Sequence, residues 1–143
     1  MKRIESTRQY IHRVAPEWLI NHLEGVAEAS AELARRRGLE SELAEIAGLL
    51  HDIARALDPY AQKHGPRGAE LAREWLEDSG EFTAEEIEQI TTAIHYHSKK
   101  RLVHSPFDEV LKDGDVYDHV LSGLFLSKDC PGHSRDWRHR FCP

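Results

Sequence analysis

The chain has 143 residues, of which 40% are hydrophobic, and this length suits one compact domain with a buried core better than two. Its 19 basic and 25 acidic side chains give a formal net charge of −6, which argues against a protein that holds nucleic acid by neutralising phosphates. Residues 1–13 lack the apolar stretch of a signal peptide, and no window reaches the roughly eighteen apolar residues of a membrane span. We therefore expect a cytoplasmic protein with no membrane partner.

The two cysteines and ten histidines define which metal-binding groups are available. Two cysteines near the C-terminus cannot supply a disulfide framework or a paired-thiolate metal site. Imidazole and carboxylate are therefore the groups to follow along the chain.

The first half of the chain has helical patterns and no alternating strand pattern. After an N-terminal segment, residues 1–15, a long helix is predicted to begin at Pro16, a residue suited to the first helical position. It is predicted to end at Gly38, since glycine adopts the left-handed conformation that ends helices. Its apolar face is predicted to carry Trp18, His22, Val26 and Leu33. We expect Trp18 and Trp75 to belong to the core.

Four further helices follow in the sequence pattern. They are predicted from about Ser41 to Ala54, from His64 to Gly80, from Thr83 to Ser98 and from Ser105 to Phe125. Thr83 with Glu86 three residues later is a capping-box signature for the third of them. Residues 127–143 lose this periodicity and are predicted to form an irregular tail. The chain is thus predicted to be all-α, a single compact bundle of about five to seven helices over residues 16–126.

Several of these helices direct imidazoles toward one interior. Each residue turns a helix by about 100°, so His97 lies about 50° from the centre of the buried face of its helix and His95 about 110°. His22 shares the apolar stripe of the first helix, and His51 with Asp52 ends the second. Burying such groups together costs several kcal/mol each unless they are paired or bound to a cation. Nitrogen and oxygen ligands favour a divalent Fe, Mn, Co, Ni or Zn ion over Ca.

The segment LKDGDVYDH offers three carboxylates for the same site. Asp113 and Asp115 lie about equally far from the buried face of their helix, on opposite sides, and Asp118 lies nearer to it. Helix periodicity therefore leaves the choice among the three open.

His22, the His51-Asp52 pair within GLLHDIAR and an aspartate of LKDGDVYDH form an H…HD…D pattern. In this pattern the chain, from about Pro16 to Leu124, resembles the HD-domain superfamily of metal-dependent phosphohydrolases. The segments HGPRGA and AIHYHS further resemble the YqeK-type members, which implies a dinuclear-metal hydrolase of symmetrical dinucleoside tetraphosphates. Residues 98–119 depart from that subgroup, so its dinucleotide substrate is not carried over to this chain.

The resemblance implies a set of ligands and a role for each. It assigns His22, His51, Asp52 and Asp115 to a first metal, with Asp52 bridging to a second metal that is completed by His64 and His97. Asp52 is also the assigned catalytic residue. The resemblance implies iron as the metal, bound as two ions. Two such ions activate a hydroxide that attacks a phosphate ester or anhydride.

Charged groups beside these ligands are candidates for binding the substrate phosphate, among them Lys99, Lys100 and Arg101 directly after His97. We predict this role for Arg55, Lys63, Arg67, His95 and Lys99. His95 is alternatively an additional ligand or a group that supports the ligands, and Lys112 is expected to pair with Asp108 or Asp115. The expected partner is a small phosphorylated substrate such as a nucleotide, without nucleic acid, and an exposed helix or the tail would support a homodimer.

Two other interpretations stay open. A helical domain of this type can be a non-catalytic module that senses a ligand or binds a protein while keeping its metal. Alternatively, the histidines are core residues of a domain without metal, in which case no stoichiometric metal would be found.

Overall fold

The computed structural model describes residues 2–121, with side chains up to residue 118. Within that range the chain forms seven helices and no strand. The helices are α1 (Lys2–Val14), α2 (Glu17–Arg36), α3 (Ser41–Leu50), α4 (Ala54–Leu57), α5 (His64–Ser79), α6 (Ala84–Tyr96) and α7 (Pro106–Leu121). The prediction of an all-α fold is confirmed, and the predicted tail lies outside the described residues. None of the helices in residues 2–121 combines the length and apolar character needed to cross a membrane.

Helix α2 lies at the centre of the bundle and packs against both α3 and α7. Its buried stripe runs through Leu19, Leu23 and Val26, which are fully buried and lie on one helical face. Helix α5 packs against α6, and α6 also contacts α3 and α7. The C-terminal ends of α3 and α6 therefore lie close to side chains of α2 and α7.

The helix ends follow the signals in the sequence. Pro16 immediately precedes α2, and Gly38 and Gly80 have φ values of 70° and 68° just beyond α2 and α5. The capping box of α6 is present, because the Glu86 amide donates to Thr83 Oγ1 and the Thr83 amide donates to the Glu86 carboxylate. These local signals determine where the helices begin and end.

Helix α1 was not predicted, and it depends on contacts with other helices. Its buried stripe is short, with Ile4, Thr7 and Ile11 as its buried residues. Arg3 forms ion pairs with carboxylates of α3 and α6, and Arg8 does so with carboxylates of α2 and α3. The buried positions 4, 7 and 11 have the spacing of a helical stripe, so the apolar pattern does indicate α1, although no helix was predicted in residues 1–15.

Trp18 is not part of the core, contrary to the prediction. It is 63% exposed, whereas the neighbouring Leu19 is fully buried. The buried face of α2 is centred on Leu19 and Leu23, so Trp18 and His22 lie at its edge, about 100° away. Trp75 is packed against the core and stacks on Tyr10, as expected of a core tryptophan.

Candidate metal centre

His51 lies immediately after α3, where the chain turns into α4, and is fully buried. Its Nδ1 is 2.7 Å from the Gly48 carbonyl oxygen, which can only accept a hydrogen bond. Nδ1 must therefore carry the proton, so that the lone pair of Nε2 is left for another partner.

His97 has the same local geometry at the end of α6. Its Nδ1 is 2.7 Å from the Ile94 carbonyl oxygen, and its Nε2 is 3.2 Å from Asp52 Oδ1. His22, on α2, uses a carboxylate instead: its Nδ1 is 2.9 Å from Asp118 Oδ2. All three imidazoles thus have an oxygen partner at Nδ1, which is the usual arrangement of histidines that bind metals through Nε2.

The Nε2 atoms of His22 and His51 lie 3.2 Å apart, and two carboxylates face them. Asp115 Oδ1 is 3.2 Å from Nε2 of His22 and 3.5 Å from Nε2 of His51. Asp52 Oδ2 is 3.4 Å and 3.5 Å from the same two nitrogens. Since its other oxygen faces His97, the Asp52 carboxylate connects two groups of ligand atoms.

These contacts fit a divalent ion. Bonds of about 2.0–2.2 Å keep neighbouring ligand atoms about 2.8–3.6 Å apart at octahedral or tetrahedral angles. The ligand–ligand distances around His22 and His51 are 3.2–3.5 Å. Imidazole nitrogen and carboxylate oxygen together are the donors that Fe, Mn, Co, Ni and Zn accept.

The charges at the centre also favour a cation. Burial lowers the pKa of His22, but hydrogen bonds with the neighbouring carboxylates raise it overall to about 11. Burial raises the pKa of Asp52, but the charge of His51 and hydrogen bonds from imidazoles hold it well below its usual value. The pKa of Asp115 is likewise held low, against its burial, by the ammonium group of Lys100 and by imidazoles. In the absence of a metal, a proton on His22 supplies the positive charge that these carboxylates require.

Gly25 on α2 makes room for the carboxylate that orients His22. A Cβ atom at position 25 would lie 1.8 Å from Asp118 Oδ1. Only a residue without a side chain lets Asp118 lie against α2 and reach Nδ1 of His22. The glycine of NHLEGVA is therefore part of the site.

A cavity of about 620 Å³ opens above the ligand atoms. Two cationic side chains line it: Arg55, with Nε 3.3 Å from Asp52 Oδ2, and Lys100, with Nζ 2.9 Å from Asp115 Oδ2. Trp18 lies on the same wall of α2 as His22. The cavity therefore combines a floor of metal-type ligands with two cations and one exposed aromatic ring.

The other predicted phosphate contacts do not line this cavity. Arg67 pairs with carboxylates on the surface, Asp58 and Glu70. His95 is exposed in a separate groove between α5 and α6, and Lys63 and Lys99 are exposed. Lys100, one residue beyond the predicted Lys99, is the lysine in the cavity. A one-residue shift of this kind follows from the turn after α6, whose geometry helix periodicity does not describe.

Two predictions about α7 are also resolved by contacts. Lys112 is fully buried and pairs with Glu109, not with Asp108 or Asp115. Asp113 accepts a hydrogen bond from Arg37, 2.8 Å away, on another side of α7.

His64 was predicted to be a metal ligand, but the structure does not group it with the other potential ligands in the part of the chain that it describes. It begins α5 and belongs to neither of the two groups of potential ligands found among the described residues, His22–His51–Asp52 and His51–His97–Asp115. Its Nε2 atom is nevertheless buried and has no hydrogen-bond partner within the described part of the chain. A buried imidazole nitrogen of this kind leaves a costly unsatisfied polar atom.

A helical bundle that brings three imidazoles and two carboxylates together beneath one cavity, with all but His51 lining it, defines a protein with a histidine–aspartate metal-type site. The family model described as the HD domain matches residues 19–120. The chain belongs to the HD domain family, which supports metal-dependent phosphohydrolase chemistry, and the resemblance to the superfamily is confirmed.

Known proteins with similar sequences come from another branch of this family than the YqeK type. The chain is 44% identical over 62 residues to ribonuclease Y of Enterococcus faecalis (strain ATCC 700802 / V583) and 44% identical over 61 residues to ribonuclease Y of Mycoplasma mycoides. These matches cover 43% and 42% of this chain but only 12% and 14% of the relatives. The YqeK-type assignment stays a prediction.

A solved structure supports the fold over most of the chain. A crystal structure described as a predicted HD superfamily hydrolase, from an uncultured Thermotogales bacterium, is 26% identical with a TM-score of 0.67. The match covers 88% of this chain and 74% of that one.

Proposed function

We propose that the chain is a metal-dependent phosphohydrolase that cleaves a phosphate ester or anhydride bond of a nucleotide or another small phosphorylated metabolite. The observation that carries this proposal is the meeting of imidazole Nε2 atoms and carboxylates, 3.2–3.5 Å apart, beneath a cavity lined by Arg55 and Lys100. A site for a cation next to positive side chains suits an anionic substrate.

The proposed first ion is held by Nε2 of His22, Nε2 of His51 and the carboxylates of Asp52 and Asp115. The chemistry that such an ion supplies when bound is activation of water at neutral pH and stabilisation of the charge on a phosphoryl group. Asp118 keeps His22 in the tautomer that offers Nε2, and the carbonyl oxygen of Gly48 does the same for His51.

We further propose a second ion, held by His97, the Oδ1 atom of Asp52 and His64. The separate orientation of the two Asp52 oxygens and the buried, unpartnered Nε2 of His64 within the described residues support it. We expect about two ions per chain in the wild type and about one in His64→Ala, measured by elemental analysis after gel filtration. Equal metal content in both proteins would overturn the role of His64.

Arg55 and Lys100 are proposed to bind the phosphate oxygens of the substrate. In the structure both side chains pair with carboxylates of the site, Arg55 with Asp52 and Lys100 with Asp115. When a cation binds these carboxylates, the two side chains can pair with the phosphate of a substrate instead. Arg55 is about half exposed, which leaves it able to turn toward a substrate in the cavity.

The test is hydrolysis of a panel of substrates by the protein loaded with Mn, Fe, Co, Ni or Zn. The panel contains p-nitrophenyl phosphate, its bis-ester, nucleotides and a short oligoribonucleotide, the last because the curated relatives are named ribonucleases. We expect Arg55→Met to lower kcat/KM by about ten-fold or more. Arg35→Met, which removes an exposed arginine paired only on α2, is the matched control and should leave turnover unchanged.

Each outcome of this experiment decides between the functions. Turnover that requires metal and Arg55 supports the phosphohydrolase. Stoichiometric metal without turnover of any substrate overturns it and favours a non-catalytic module, and protein without any bound metal overturns both.

A further inference from the structure

Trp18 is a large apolar side chain that the fold leaves in solvent at the edge of the cavity. It is 63% exposed and lines the cavity, while Leu19 beside it is fully buried. Four other large hydrophobic side chains among the described residues are also exposed, and none of them lines this cavity; they are Leu57, Tyr60, Leu102 and Val103. Scattered exposed hydrophobics need no explanation, but one at a cavity with polar ligands does.

The position of Trp18 relative to the metal centre is fixed by α2. Trp18 and His22 are four residues apart, so they lie on one face of the helix, about 6 Å apart along its axis. Leu19 and Leu23 anchor this part of α2 in the core. The indole is therefore held on a rigid element one helical turn from a metal-type ligand, on the side toward solvent.

The cavity is larger than a phosphoryl group requires. At about 620 Å³ it lies within the range of about 300–1,000 Å³ that is typical of sites for small molecules. Its cations, Arg55 and Lys100, lie beside the carboxylates of the centre, and Trp18 supplies a flat apolar surface on the wall formed by α2. A ligand that matches both regions has an anionic group and a planar ring separated by a short spacer.

We propose that Trp18 is a specificity-determining residue that stacks on the base of a mononucleotide whose phosphate lies at the metal centre. This inference rests on the proposed function and narrows its substrate class to phosphate esters that carry an aromatic ring. In such a complex the sugar of the nucleotide would bridge the indole and the metal centre. Stacking of a base on an aromatic side chain contributes a factor of about 5 to 150 in binding.

The kinetic test compares a substrate that has a ring with one that does not. For Trp18→Ala we expect KM for adenosine 5′-monophosphate to rise about ten-fold more than KM for glycerol 3-phosphate. Trp18→Phe keeps a ring and should recover most of the difference. Tyr60→Ala, at an exposed residue outside the cavity, is the control for loss of an exposed aromatic ring. Equal changes in KM for both substrates would overturn the inference.

A binding measurement gives a readout that is independent of turnover. The metal-loaded protein is titrated with the methylenephosphonate analogue of adenosine monophosphate while tryptophan fluorescence is recorded. The chain has three tryptophans. We expect quenching in the wild type, in Trp75→Phe, since Trp75 is stacked on Tyr10 within the bundle, and in Trp137→Phe, and none in Trp18→Phe. Quenching that persists in Trp18→Phe would show that the ring binds elsewhere.

The two proposals fail in different ways. Quenching at Trp18 without hydrolysis of any phosphate would overturn the enzyme and retain a mononucleotide site. Hydrolysis with no preference for ring-bearing substrates, and no effect specific to Trp18, would retain the enzyme and overturn the stacking role.

Discussion

His51 and His97 carry their proton on Nδ1 because both have the same local structure. Each lies directly after the last residue of a helix, and each donates its Nδ1 proton to the carbonyl oxygen three residues earlier. The last carbonyls of a helix have no partner within the helix, so the imidazole satisfies one of them. One hydrogen bond thus caps the helix and fixes which nitrogen faces the centre.

His22 is oriented by a distant residue and not by its own helix, since the partner of its Nδ1 atom is Asp118, 96 residues away in sequence. We predict that Gly25→Ala lowers metal affinity by about 10- to 100-fold, because a Cβ atom at position 25 displaces the Asp118 carboxylate. In the metal-free protein the loss of the contact between Asp118 and His22 is opposed by the helix propensity of alanine, which is better than that of glycine by about 1 kcal/mol, so we expect only a small change in stability. Titration calorimetry with Mn or Zn checks the affinity, with Asp118→Ala as the matched variant. Wild-type affinity in Gly25→Ala would exclude the proposed role of Asp118.

The three candidate aspartates of α7 could not be told apart from the sequence alone. Helix periodicity could not choose among Asp113, Asp115 and Asp118, because all three lie near the border of the buried face. In the structure they have three different partners: Arg37, the imidazoles of the centre, and Nδ1 of His22. These partners belong to other elements, so the distinction depends on how α7 packs and not on its own sequence.

At the scale of the elements, the pairing of α2 with α3 determines where the His51-Asp52 pair lies. The two helices approach closely at Gly48, where a Cβ atom would lie 2.6 Å from Cα of Ala27. Backbone atoms of a packed helix cannot move aside as a flexible side chain can. The absence of a side chain at position 48 is therefore required one turn before His51.

We predict that Gly48→Ala destabilises the fold by about 1–3 kcal/mol, as overpacked cores do. Gly68→Ala is the matched control within a helix, because a Cβ atom at position 68 would lie 3.4 Å from its nearest neighbour, the carbonyl oxygen of His51, which is an ordinary contact. This substitution should be neutral or stabilising. Urea denaturation of both variants measures the difference. Similar unfolding free energies for the two would contradict the close approach of α2 and α3.

Helices with strong end signals were predictable from the sequence, and helices held by distant partners were not. The starts of α2 and α6 follow from Pro16 and Thr83. Helices α3 and α5 have no side-chain cap at their first turn and follow from their apolar periodicity, and the bounds of all four lie within a few residues of the prediction. Helix α4, of four residues, lies at the edge of what was predicted as a loop. Such a short helix forms only because its neighbours hold it in place, since short isolated helices are marginal in water.

At the scale of the whole molecule, the candidate metal centre joins four separate parts of the chain. His22 lies on α2, His51 and Asp52 follow α3, His97 follows α6, and Asp115 lies on α7. A metal that binds this folded arrangement and not the unfolded chain stabilises the fold by about 2.7 kcal/mol at a free concentration of 100 times Kd. Without it, a protonated His22 contributes stability below its unfolded pKa, and this contribution is lost as pH rises through about 11.

Because the metal and the His22 proton compete for the same position, metal binding should release protons. The raised pKa of His22, about 11, means that this imidazole is protonated at pH 8 in the metal-free protein, whereas a ligand must offer a free Nε2. We expect release of about one proton from His22 per chain, so apparent affinity weakens as pH falls. Calorimetric titrations with Zn at pH 8 in two buffers of different ionisation enthalpy measure this number. A binding enthalpy that is the same in both buffers would mean that no proton leaves and that His22 is not a ligand.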